Sequence, residues 1–351
     1  MVDVSVRTDD PPVDAPPRER QPAAIDTIWF LAITAMLAGA FVASVAFGSR
    51  VVGIGDIIAA LTGEPEGIAQ IAVRERVPRT VLAVIVGGTL AVAGAVFQGV
   101  TRNPLADPGL LGISSGASLA VVIGLTFFGL QSPTSTIWTA IAGAAGAATF
   151  VWLIGSMGRG GATPLKLALA GAATWAALSS LISAILLPRI DIMDSFRFWQ
   201  IGGVGRAEWE RITLVLPFFA VGLLLCIATS RGLNALALGD DTAAGLGENV
   251  TRTRLLAALG AVVLSGAATA SAGPIGFVGL VVPHLSRLVI GVDHRKLLPF
   301  SALAGAALLV ASDVVGRVIA RPTEVDVGIV TAFIGAPIFI WVIRRQKVRE
   351  L

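Results

Sequence analysis

The chain has 351 residues, 55% hydrophobic and 14% charged, with a formal net charge of +3 and a mean hydropathy of +0.82. A soluble chain of this size has no use for so much apolar surface, so composition excludes a soluble enzyme and predicts an all-α protein that crosses a membrane many times. The small net charge gives no argument for nucleic acid, and the single Cys226 excludes a disulfide framework or a Cys-based metal site.

In chain order, residues 1–26 hold five prolines and six acids with almost no large apolar side chain, the composition of a disordered tail. Their start is wrong for a signal peptide, and the apolar run that follows is long enough to span. A span takes about 20 apolar residues, each rising ~1.5 Å through ~30 Å of hydrocarbon. That rule predicts ten spans, at 27–48, 80–99, 111–130, 136–157, 167–187, 212–230, 252–272, 276–290, 297–316 and 327–344. They form a transmembrane domain over 27–346, followed by a short end at 347–351. With the N-terminus inside, sixteen Lys and Arg fall on inner segments and ten on outer ones, which favours both termini in the cytoplasm. Trp29, Trp138, Trp199, Trp209 and Trp341 fall near span ends and read as an aromatic belt.

The segments between spans carry the polar signals. Arg76-Val-Pro-Arg79 precedes the second span, and Thr101-Arg102-Asn103-Pro104-Leu105-Ala106-Asp107-Pro108 follows it. Arg76, Arg79 and Arg317 all fall at outer span ends. There a guanidinium can pair bidentately with a partner's carboxylate or snorkel to lipid headgroups. Asn103-Pro104 and Thr163-Pro164 are turn dipeptides in their own right. Between spans six and seven, residues 231–251 place Leu233, Leu236 and Leu246 among Gly239, Asp240, Asp241, Gly245 and Gly247. Aspartate caps helix starts and glycine ends helices, so two short helices are predicted. Such helices either seat in a partner's groove or lie as an amphipathic interfacial loop.

Two absences bear on energy. No GxxxxGK[ST] phosphate loop is present, so P-loop ATP hydrolysis is excluded. The apolar cores of the spans hold no Asp, Glu or Lys, with His284 and Asp313 both towards span ends, which argues against ion coupling. His284 has no Cys or acid nearby, so no metal site is expected. Energy then comes from another subunit.

The ordered blocks RVPR, NPLADPGLLGISSGA, LALGDDTAAGLG, AGPIGFVGLVVPHLSR, SDVVGR and EVDVGIVTAFIGAPIFIWVIRR run from Arg76 to Arg345. Together they resemble the permease subunits of ABC importers for iron–siderophore, haem and vitamin B12, the FecCD/BtuC-like family. The resemblance implies a type II importer permease architecture. It implies that Arg76, Arg79 and Arg317 meet glutamates of an extracytoplasmic substrate-binding protein. It implies that Leu233, Leu236, Leu238, Gly239, Asp240, Asp241, Leu246 and Gly247 form the ATPase coupling segment. Asn103, Leu105, Thr163, Pro164 and Leu165 match positions that constrict the inner end of the pathway. The implied partners are a second permease subunit (a copy or a paralogue), two ATP-binding subunits that carry ATP and magnesium, the binding protein and membrane lipid. No cofactor is implied on this chain. Asp240-Asp241 departs conservatively from the family's usual acid pair, and Val325-Asp326 stands where Leu-Pro is commoner. Ser195 to Arg206 is more like siderophore members, so a ferric siderophore is the expected cargo, with vitamin B12 or haem as alternatives. An ion-coupled secondary carrier and a non-transporting scaffold are the competing classes.

Overall fold

Inside a bilayer every backbone polar group needs a partner within the protein, and an apolar segment meets that need by forming a helix. The computed structural model describes residues 23–63, 67–104, 106–130, 132–158 and 164–347, and every regular element among them is helical. In chain order these are α1 (Ala23–Ala46), α2 (Ile54–Thr62), α3 (Ile68–Thr101), a 3₁₀ turn (Pro108–Leu111), α4 (Ile113–Phe127) and α5 (Pro133–Ser156). There follow α6 (Pro164–Leu186), α7 (Ile190–Ile201), α8 (Trp209–Ala228), α9 (Ser230–Leu236) and α10 (Asp240–Gly245). The last four are α11 (Val250–Ala272), α12 (Val278–Ile290), α13 (His294–Ile319) and α14 (Val327–Lys347).

Each predicted span has a helix. Seven of the described helices are long and apolar enough to cross a membrane unaided, and α4, α12 and the Val327–Trp341 part of α14 are shorter apolar helices. Three boundaries differ from the sequence expectation. First, α1 starts at Ala23, so the last four residues of the expected tail are helical. Asp26 in the first turn suits the positive helix end and accepts from Lys296 Nζ at 2.5 Å. Residues 1–22 and 348–351 lie outside the described residues.

Second, α3 begins at Ile68 rather than at residue 80 and runs for 34 residues with Pro78 inside it. At ~1.5 Å per residue it is about 51 Å long, well beyond the hydrocarbon thickness. Its first three turns are too polar to read as membrane, and the helix continues through Pro78 into the apolar run. Third, α2 and α7 were not foreseen, because helices of 9 and 12 residues fall below span length.

Helix α3 is the axis of the bundle, with 83% of its most apolar window buried. It packs against α13, α11 and α12. Lipid supplies no hydrophobic drive between helices, so close backbone approach through small residues takes its place. A Cβ on Gly87 would lie 2.4 Å from the Gly305 carbonyl oxygen, and one on Gly94 would lie 1.8 Å from that of Gly279. Those two crossings fix α13 and α12 on α3. By contrast Leu31, Met36 and Val42 of α1 stand exposed, the surface that lipid covers.

Gly94→Val is therefore expected to abolish folded protein, whereas Gly39→Val on α1, where an added Cβ has nothing within 4 Å, leaves it unchanged. The monodisperse yield after detergent extraction measures both. Equal yields would refute the close crossing.

Candidate functional site

The last turn of any helix leaves carbonyl groups without intrahelical partners. At the outer end of α1 those groups are served by arginines from distant helices. Arg76 Nη1 donates to the carbonyls of Val45 at 3.0 Å and Ala46 at 3.1 Å, and its Nη2 donates to that of Arg50 at 2.8 Å. Arg317 Nη1 donates to the carbonyls of Ser44 at 3.0 Å and Phe47 at 3.2 Å, and its Nη2 to Ser44 Oγ at 2.6 Å. Arg321 Nε donates to the Gly48 carbonyl at 2.8 Å. Positive charge at a helix C-terminus is favourable in itself.

The charge is balanced from α13. Asp313, one turn before Arg317, is 1% exposed and pairs with Arg317 at 3.0 Å and Arg79 at 2.8 Å. Arg79 forks onto both carboxylate oxygens, and its outer Nη1 reaches Glu324 Oε2 at 2.6 Å. The three arginines singled out in the sequence are thus brought together at one end of the bundle. Arg76 and Arg317 are buried there, and all three donate to acceptors of their own chain. Asp313 and Glu324 were not foreseen as their partners, although the four-residue spacing of Asp313 and Arg317 on a helix is a readable signal.

At the other end, α9 and α10 form the two short helices that the Gly-Asp-Asp punctuation predicts, with Gly239 at φ 111° and Gly247 at φ 85° making the bends. Leu233, Leu236 and Ala243 are fully buried and fasten the pair to the bundle, while Leu238 is 63% and Leu246 67% exposed. Asp240 accepts from Arg102 at the end of α3 and from Arg254 on α11, the latter at 2.9 Å. Asp241 is exposed.

The remaining positions are in the connections. The Asn103 N–H donates to the Gln98 carbonyl and the Asn103 carbonyl accepts from Ala106, which closes the turn after α3. Pro164 opens α6, and Leu165 is exposed beside it. Leu105 and Thr163 lie outside the described residues. Among the described residues no group of three or more His, Cys, Asp or Glu could hold a metal.

A bundle of apolar helices, seven of them long enough to span, with two short helices fastened across one end defines a multi-span membrane protein. Over residues 36–345 the sequence matches the FecCD transport family, and the chain belongs to that family. The ferric enterobactin permease FepD of Escherichia coli (strain K12) is 46% identical over 271 residues, which are 77% of this chain and 81% of FepD. The cobalamin import permease BtuC of Halobacterium salinarum is 41% identical over 295 residues, 82% of this chain and 77% of that protein. A solved ABC transporter assigned to the metal-chelate type, in an inward-facing conformation, superposes with a TM-score of 0.79 at 28% identity. It covers 91% of this chain and 99% of its own.

Asp313→Asn leaves two guanidiniums without their shared counter-charge, a loss of about 3–5 kcal/mol for a buried pair broken on one side. Thermal unfolding of the purified chain should show a marked drop, and a wild-type midpoint would contradict the arrangement. Glu324 behaves differently. Burial pulls its carboxyl up, but the hydrogen bond and charge of Arg79 prevail and hold it below the ordinary 4.5. A depressed folded value gives stability above the unfolded value that is lost as pH falls through the folded one. Acidification below 4.5 should therefore free residues 320–326 from Arg79, and Glu324→Gln should abolish that pH dependence. Hydrogen exchange of the segment against pH reads it, with identical profiles for the two proteins as the contrary result.

Proposed function

We propose that this chain is one permease subunit of an ATP-driven importer, taking up a ferric siderophore handed over by an extracytoplasmic binding protein. Family membership supports the importer class. The exposure pattern of α9 and α10 carries the ATPase contact: buried Leu233 and Leu236 hold the segment from beneath, and Leu238 and Leu246 stand outward beside Asp241. Two exposed leucines in the turns that follow the short helices α9 and α10 are what an apolar groove on a partner can grip. ATP and magnesium then reside on that partner, in two copies, and a second permease subunit completes the pathway. Higher identity to FepD than to BtuC supports a siderophore over cobalamin as cargo.

The outer arginines enter this proposal as a docking set with unequal parts. Arg76 and Arg317 hold α1, whereas Arg79 can exchange its half-exposed partner Glu324 for a glutamate of the binding protein. Rim ion pairs act mainly on association rate and its salt dependence.

With the ATPase co-expressed, Leu238→Asp and Leu246→Asp should release it from the purified complex, because docking would bury a charge in an apolar groove. Co-purification at the wild-type ratio would sink the proposed contact. Leu236→Asp should instead lower the yield of the permease itself, since that side chain is buried within the chain. Growth of a deletion strain on ferric siderophores, and on medium that demands cobalamin uptake, decides the cargo. A defect confined to cobalamin would overturn the siderophore reading.

A further inference from the structure

Where α3, α12 and the start of α13 meet, at the end of the bundle that carries α9 and α10, there is a cleft of about 330 Å³. Its polar lining is Gln98, Arg102, His284, Arg287 and His294, with no carboxylate among the lining residues. Both histidines of the chain are in it.

The donors there are under-used. Arg287 is half-buried, donates to Gln98 Oε1 at 2.5 Å, and makes no ion pair among the described residues. The outer arginines, by contrast, end on carboxylates or on several carbonyls. Among the described residues the Arg102 side chain is held by Asp240 alone. His294 is 95% buried, from a relative exposure of 5%. Its backbone N–H and its Nδ1 both lie 2.9 Å from Asn234 Oδ1, and Asn234 Nδ2 donates to Asp293 at 2.6 Å. That chain of bonds makes Asn234 Oδ1 an acceptor and places the ring proton on Nδ1. Among the described residues Nε2 then has no partner, and it faces Gly99, itself a lining residue. At the mouth, Leu288 and Val292 are exposed and apolar.

We propose that this cleft binds one phosphate group, presented either by an anionic lipid headgroup of the inner leaflet or as free inorganic phosphate. Guanidinium forks match phosphate oxygens, and Arg287 has donors to spare for them. A lone imidazole nitrogen accepts from a hydroxyl, which hydrogen phosphate carries on phosphorus and a glycerol headgroup carries beside it. Basic pockets between spanning helices at the cytoplasmic side suit headgroups, and the apolar mouth suits acyl chains. A bound phosphate also draws on Arg102, the residue that ties α3 to Asp240 of α10.

The test uses the full chain alone in nanodiscs, without ATPase or binding protein, so its result is separate from the transport proposal. One preparation contains phosphatidylcholine only, with inorganic phosphate added and its ³¹P line width recorded. The other is an equimolar mixture with phosphatidylglycerol, from which native mass spectrometry counts retained anionic lipid. Wild type should bind at least one probe, and Arg287→Gln should weaken that binding about tenfold through loss of a charge-assisted contact. Leu288→Trp, at an exposed position that does not endanger folding, should block it by filling the mouth. Arg295→Gln, exposed at the same end but outside the lining, should leave binding unchanged. Retention of phosphatidylglycerol alone identifies a headgroup site, and broadening of phosphate alone a free-anion site. Binding of neither probe by wild type overturns the proposal. So does equal loss in Arg287→Gln and Arg295→Gln, and so does undiminished binding in Leu288→Trp.

Discussion

A helix that ends near the edge of a bilayer presents carbonyl oxygens that water serves poorly, and leaving them bare costs several kcal/mol each on the order of lipid transfer values. In this protein the outer end of α1 meets that constraint with guanidinium groups from α3 and α13. Burying those charges is itself unfavourable, so Asp313 sits between Arg79 and Arg317 and neutralises them. The result joins α1, α3, α13 and the segment before α14 into one unit. It also gives a reason for keeping Arg76, Arg79 and Arg317 on the outer side, where arginines are costly to translocate. These three are internal structure before they are surface.

The same helix that brings Arg76 and Arg79 to that network ends at Arg102, which holds Asp240 of α10. A single continuous element therefore connects the outer network to the short helices α9 and α10. Its glycine crossings with α13 and α12 place backbone against backbone, leaving little slack along its length. Any displacement of α10 relative to α3 has to break or stretch the Arg102–Asp240 pair first. The cleft lined by Arg102 and Arg287 lies at that junction.

The spans were legible because a 3.6-residue helix in lipid needs only sustained apolar composition, and that survives without any knowledge of neighbours. The bends around Gly239 and Gly247 were legible for a local reason as well, since aspartate and glycine punctuate helices wherever they occur. What the sequence hid is long-range. Nothing local distinguishes Leu236, buried, from Leu238, exposed, because both belong to one LNALAL run and only packing against the bundle separates them. Likewise Arg76 reads as an outward cation until α1 is seen to end beside it. The first turns of α3 were missed because polarity was taken as the limit of the helix, when it is the limit of the membrane only.

The acceptors that anchor α1 are, apart from Ser44 Oγ, main-chain carbonyls. A carbonyl is present whatever residue bears it. Mutation within α1 therefore cannot delete the anchor, provided the replacement stays apolar and helical and the close approach at Gly48 is kept. The burden of preserving this joint falls on the donors in α3 and α13 instead. The exposed face of helix α1 is free to drift in sequence while the helix stays in place, so a new lipid environment can be met there without touching the rest of the fold.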